Sequence, residues 1–444
     1  MSTPVQLLIV VLIFSSHLMA LARFWRRIRT RTLPSVADFA CASLVLYYDI
    51  GLLLEVFGWY ENSHFSPLLE ADAGTLAWAL TLLVAAPWLF RLGERLFRGR
   101  RVHAVPEDLS RLRPSRRVLF YPLISLAVAP LGILGLWWMS SGEAIWVLRA
   151  RVGMALGPLM LVLYVPMYVL AFYVRQADSR TGWGRLYSTL LVGAGIMASC
   201  AYGQRTAVLL PLLILVLFGT RVSMGRVAAG ALAGLVAASI LLPLYKWQFA
   251  EQEFRTADLI AKTVTGDLAR AGVLRRAIEL SDDVGTQVMD YPFEGYVYAG
   301  LLFVPRSLVP SKGQSTARRF TAYLESTPVE ETNWGFGLGA LEETIVNGGL
   351  LMALPMLLMI GMAMGILQRA SSAVPSIAVP TRLAALWSCG YHLPALILLF
   401  GGMLVVALLL DWAFVIRMPR ARHPQTLTGD LPWNTLLAPR PGTS

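Results

Sequence analysis

Charge is scarce in this chain of 444 residues: only 15% are Asp, Glu, Lys or Arg, against about 25% in soluble domains. Hydrophobic residues make up 56%, and the mean hydropathy is +0.59. An ordinary water-soluble globule is therefore excluded. Cysteine is sparser still. Cys41, Cys200 and Cys389 fall within or beside apolar runs, with neither a CxxC nor a Cys/His ligand spacing, so they support neither a disulfide framework nor a zinc site. Histidine is absent from residues 247 to 339. The chain also has no Walker motif, no GxGxxG after a strand, no HExxH and no DxD pair, which leaves nucleotide and metal chemistry unsupported.

What is present is a succession of apolar runs long enough to cross a bilayer, each of roughly 20 residues. They predict an all-α polytopic membrane protein with about 11 spans, near residues 4–22, 36–58, 74–92, 118–139, 154–174, 186–202, 205–219, 227–246, 342–366, 380–399 and 402–417. Residues 380 to 417 barely cover two crossings, and one broken or re-entrant helix around Gly401-Gly402 is the alternative. The small residues at Ala20-Leu-Ala22 resemble a signal-peptide cleavage site. No basic residue precedes that run and five arginines follow it, which is the charge order of an uncleaved first span.

The net charge of +11 resides largely in short arginine-rich segments between runs, so membrane orientation, and not nucleic acid, is the reading. Arg23 to Arg31, Arg91 to Arg117, the turn with Arg175, Arg180 and Arg185, and the tail from Arg417 to Arg422 fall on one side, predicted cytoplasmic. The turn with Glu61, Glu70 and Asp72 falls on the other side, with one long polar interruption. The expected organisation is a bundle over 1–246, an extracytoplasmic loop over 247–339, further spans over 340–418 and a disordered cytoplasmic tail over 419–444. The N-terminus is then outside and the C-terminus inside.

Several residues could carry chemistry. Arg205, in Gly203-Gln-Arg205-Thr, opens a span from its outer side, where a guanidinium beside free helix N–H groups suits an anion; an arginine snorkelling to headgroups is the plain alternative. Arg149 and Arg151 lie outside against the charge rule, either tolerated or binding an anion. In the loop, Arg306 and Lys312 sit between prolines, and Arg318 and Arg319 follow among many carboxylates. Glu342 and Glu343 enter the next span with Asn347 one turn on, either as partners of the helix dipole or as a general base. The two glutamates are not separable by sequence. The ionisable residues His17, Asp49, Glu55, His392 and Asp411 are scattered over four spans with no Asp/His chain, which weakens a proton-coupled transporter.

Taken together, Gly203-Gln-Arg205-Thr, Phe303-Val-Pro-Arg306-Ser-Leu-Val-Pro310-Ser-Lys312 and Gly339-Ala-Leu-Glu342-Glu343-Thr-Ile-Val-Asn347-Gly-Gly resemble the bacterial O-antigen or oligosaccharide repeat-unit polymerases, relatives of the O-antigen ligases. The resemblance implies a GT-C-like membrane glycosyltransferase of the inner membrane, working without metal or other cofactor. Its donor and acceptor would be undecaprenyl-diphosphate-linked glycans, with membrane lipids around it and a chain-length regulator among possible partners. On that reading Arg205 and Arg306 hold the donor diphosphate, Glu342 or Glu343 takes the acceptor proton, and Arg149, Arg151, Lys312, Arg318, Arg319 and Asn347 line the substrate. The ligase branch is expected to carry a loop histidine, which is missing here; this favours the polymerase. A ligase-type transferase and a lipid-linked glycan flippase are the alternatives.

Overall fold

The structure, a computed structural model, describes residues 4–30, 33–60, 62, 64–98, 170, 182–183, 186–193, 269–283, 286–305, 307–332, 335–373 and 377–414. Those residues are mostly helical, and no strand occurs among them beyond an isolated bridge between Ser281 and Thr286. Among the described residues, four helices are long and apolar enough to cross a membrane. The first is α1, Pro4–Arg29. The second runs from α2, Val36–Leu44, through a π-helical turn, Val45–Asp49, into α3, Ile50–Val56. The third is α4, Ala73–Arg98. Three shorter helices of the polar segment follow: α5, Ala271–Glu279, α6, Glu294–Gly300, and α7, Thr316–Glu325. The fourth apolar helix is α8, Ala340–Ala373; after it come α9, Ala378–Leu386, and α10, Leu393–Phe414.

Without a hydrophobic driving force between helices in lipid, close association relies on small residues that let backbones touch. The main packing in this bundle, α4 against α8, uses that device. A Cβ on Gly93 would stand 2.5 Å from Gly361 C, and one on Gly361 would stand 2.7 Å from Leu89 O. Gly361→Leu therefore has to separate two backbones; the expected loss is at the upper end of about 1–3 kcal/mol, read as a lowered melting temperature in detergent, and an unchanged melt would refute the close crossing.

The arginine-rich end of the bundle is tied by polar contacts. Ser35 and Asp38 form a capping box at the start of α2, and the buried Asp38 carboxylate also meets Arg27 at 3.1 Å and Arg91 at 3.2 Å. Gln368 of α8 accepts from Val36 N, and the fully buried Arg382 of α9 donates to Pro34 O and Ala378 O. Here the charges hold helices to one another in a place where any unpaired group would be costly.

Two breaks shape the other half. Gly349 adopts φ 77, ψ 177 inside α8, a backbone that favours glycine, so that Ala340–Gly348 forms a separate short helical head. The second break lies at residues 387–392, not at Gly401-Gly402, and 393–414 run as a single helix. The expected crossings at 380–399 and 402–417 are thus replaced by a short helix and a long one. The physical reason is partly tertiary and partly local: a Cβ on Gly390 would meet the Tyr47 ring of the second apolar helix at 2.3 Å, while Pro394 starts the next helix where its missing N–H is harmless. The runs expected at 118–139, 154–174, 186–202, 205–219 and 227–246 lie largely or wholly outside the described residues.

Candidate functional site

The polar segment does not simply sit on top of the bundle. Counting from Val36, whose N–H bonds Gln368, Tyr48 is twelve residues on, roughly 18 Å up the helix. At that level the π turn interrupts the regular ladder, as such turns often do at functional sites, and each of its last three residues meets a different element. Tyr47 O accepts from Arg270 N at 2.8 Å. Tyr48 donates its hydroxyl to Glu342 Oε1 at 2.8 Å. Asp49 pairs with His17 Nδ1 of α1 at 2.6 Å, while His17 Nε2 meets Leu83 O at 3.0 Å. His17 and Asp49 look isolated in sequence. In the fold they are a buried pair.

The head of α8 brings the two glutamates and Asn347 together, all three buried. Glu342 is the N3 residue of its own helix head: Oε2 accepts Gly339 N at 2.8 Å, so with the Tyr48 bond both oxygens are held by the protein. Glu343 points elsewhere. Its Oε2 accepts Leu393 N at 2.6 Å, and its Oε1 takes only a long 3.3 Å bond from the Thr316 hydroxyl of α7. Asn347 completes the contact with the polar segment by donating from Nδ2 to Thr316 Oγ1 at 3.0 Å and accepting Gly295 N on Oδ1 at 2.8 Å. Its carbonyl accepts Phe293 N, and Phe293 itself is held at φ 66, an uncommon backbone for a residue with a side chain. Burial, and after it the Glu343 charge, pushes the Tyr296 hydroxyl well above the ordinary tyrosine range, so that phenol stays neutral beside the glutamate.

No protein family, curated protein or solved structure matches the chain. The site therefore has to be judged on its own geometry.

The remaining expected residues divide cleanly. Arg149, Arg151, Arg205 and Arg306 lie outside the described residues. Arg319 grips the fully buried Glu294, with Nη2 at 2.8 Å from Oε1, and also pairs with the exposed Asp290. Burial pulls its pKa down, but the bonds and charges of Glu294 and Asp290 outweigh it and hold it above the usual arginine range. Arg318 donates to Thr332 O, Glu330 O and Gln314 Oε1. Lys312 donates to Val304 O at 2.8 Å and lies 5.4 Å over the Tyr298 ring. Arg318, Arg319 and Lys312 thus brace the polar segment from within. Among the described residues no group of His, Cys, Asp and Glu could hold a metal ion.

Sequence reasoning misses Tyr48, Thr316, Gly295 and Arg270. A Cβ on Gly295 would lie 1.9 Å from Thr316 Oγ1, so glycine is required there for α6 to touch Asn347. Arg270 donates from Nη2 to Gly390 O at 3.3 Å and from Nη1 to Gly337 O, and its Nε is buried with no acceptor among the described residues. None of the four stands in a recognisable motif. Only their convergence in space marks them.

Proposed function

We propose that the chain is a lipid-linked repeat-unit polymerase: a multi-pass protein of the bacterial inner membrane that joins undecaprenyl-diphosphate-linked glycans on its periplasmic side. About 11 spans, a GT-C-like arrangement, an outside N-terminus and an inside C-terminus belong to the same reading. The observation that supports it best is the Glu343–Thr316 contact. A hydroxyl delivered by the polar segment meets, over a long 3.3 Å bond, a carboxylate at the head of an apolar helix. An acceptor sugar hydroxyl has the same chemistry and can replace Thr316 at that oxygen.

In the proposed reaction the acceptor oxygen attacks the anomeric carbon of the donor, and a new glycosidic C–O bond forms. The old bond to the diphosphate breaks, its electron pair leaving on the diphosphate oxygen, and the acceptor proton passes to Glu343. Arg205 and Arg306 are the residues proposed to neutralise the leaving charge, a term that can be worth a few kcal/mol per donor in a dry site. Arg149 and Arg151 are proposed to draw the anionic lipid towards it.

The test is elongation by the purified full-length protein, supplied with lipid-linked repeat units and no nucleotide, in the presence of EDTA. Wild type is expected to lengthen the glycan on its carrier. Arg205→Lys and Arg306→Lys are each expected to lose most activity although charge is kept, because lysine lacks the planar two-pronged donor set. No elongation by wild type, together with translocation of the lipid-linked glycan in liposomes, would establish the flippase instead. One observation favours that second reading: the buried His17–Asp49 pair, an intramembrane ionisable pair of the kind found along ion and proton pathways.

A further inference from the structure

A cavity of about 390 Å³ runs along α5, from Gly272 in its first turn to Glu279 at its end, within the about 300–1,000 Å³ typical of small-molecule sites. None of its lining belongs to the glutamate cluster. Arg275 and Arg276 stand on one side, joined through Glu279: Arg275 Nε meets Glu279 Oε1 at 2.6 Å and Arg276 Nη1 meets Oε2 at 3.2 Å. Arg275 is fixed further by donating to Pro67 O at 2.7 Å. Phe65 and Phe336 form the aromatic side, edge to face with centroids 4.9 Å apart, and His64 stacks edge-on against Phe336 at 5.1 Å. Glu325, exposed at the end of α7, closes the rim.

The chemistry of this lining points to hydroxyl groups and not to a net charge. Two arginines are offset by two glutamates, so no excess field draws an anion, and Glu279 already holds both guanidinium groups. Arg276 spends one N–H on Glu279 and has no other partner among the described residues, which leaves donors for a ligand. Carboxylate oxygens with free lone pairs stand beside them as acceptors. Alternating donors and acceptors match vicinal hydroxyls, and the half-buried Phe336 beside the buried Phe65 adds apolar surface for the C–H edges of a sugar.

We propose that this cavity is a glycan subsite that takes one or two neutral sugar rings of the acceptor chain, the assignment to the acceptor resting on the polymerase reading above. The cavity shares α5 and α7 with the site: Arg270 caps α5 at one end and Glu279 ends it at the other, while α7 carries Thr316 at its start and Glu325 at its end. A chain bound there is held by α7, which reaches Glu343 through Thr316, and by α5, whose first turn Arg270 ties to Gly337 and Gly390.

The experiment uses the full-length protein in lipid nanodiscs and saturation-transfer NMR with three probes: maltotriose, N,N′,N″-triacetylchitotriose and a trisaccharide bearing a uronic acid. At least one neutral probe is expected to receive saturation. Arg276→Gln is expected to weaken its binding by about fivefold, the worth of one hydrogen bond, and Glu325→Trp is expected to block the cavity. Both positions are solvent-accessible, Arg276 with 41% of its side chain exposed, so if one variant fails to fold the other carries the test. No transfer to any probe, equal transfer in both variants, or tighter binding of the acidic probe would each overturn the proposal. Elongation is measured in parallel. Binding without elongation supports the cavity and removes the polymerase reading, whereas elongation indifferent to both variants overturns the cavity alone.

Discussion

Glu343→Gln is expected to slow glycan elongation by about 10²–10⁴-fold, the usual contribution of a positioned general base. The geometry separates it from its neighbour. Glu342 has each oxygen held at 2.8 Å, by Tyr48 and by its own helix start, and a substrate hydroxyl would have to displace one of these bonds. Glu343 offers Oε1, whose described partner is the distant Thr316 hydroxyl. Glutamine is nearly isosteric and keeps an acceptor for Leu393 N, so folding survives while the proton acceptor is lost. The same substitution at Glu342 keeps an acceptor for Gly339 N only by turning its NH₂ to the Tyr48 hydroxyl, which must then reverse from donor to acceptor and loses its bond to a carboxylate; it should show first as a lower melting temperature, by about 1–3 kcal/mol of stability. Steady-state elongation assays and thermal melts of the two variants decide the matter. Equal rate losses in both, or a rate loss confined to Glu342→Gln, would displace Glu343 from the proposed role.

Arg319→Ala is expected to destabilise the protein by about 3–5 kcal/mol, the loss seen when one partner of a buried ion pair is removed. Glu294 has no exposed surface and receives Arg319 Nε and Nη2 on Oε1, with the N–H groups of Asp290 and Gln314 as its other partners. Two backbone donors do not neutralise a carboxylate in a dry setting. The other half of the triad matters less, because Asp290 has 63% of its side chain exposed, and exposed pairs contribute only about 0–1 kcal/mol. Asp290→Ala should therefore shift the melt little, and Arg319→Lys should fall between the two, since it keeps charge but loses the two-pronged grip. A small effect of Arg319→Ala would mean that Glu294 finds water, and α6 would then not be the fixed platform that Gly295 and Asn347 imply.

Both results bear on one structural fact: the described residues of the polar segment, from Ala269 on, pack with the head of α8 as one folded unit. Its bracing is internal. Lys312, Arg318 and Arg319, all candidates for binding substrate by sequence, donate to carbonyls and carboxylates of the segment itself. Clustered cations in a mixed-charge stretch are equally consistent with ligand binding and with self-bracing, because sequence shows charge but not which acceptor lies within 3 Å. Only coordinates make that distinction.

By itself the sequence determined that this is a helical membrane protein, because bilayer thickness sets a length of apolar chain that can be counted directly. The starts of the four long helices followed from the same count, as did the polar identity of the segment before Ala340. Tertiary structure decided the rest. The π turn at Val45–Asp49, the break at Gly349 and the one at 387–392 depend on contacts between residues far apart in the chain, such as Tyr47 with Arg270 and with Gly390. The pairing of His17 with Asp49, and the separation of Glu342 from Glu343, have the same origin. Adjacent residues on a helix point about 100° apart, so two glutamates next to each other in sequence reach different partners, and which of them meets a hydroxyl is settled by what packs against the helix head.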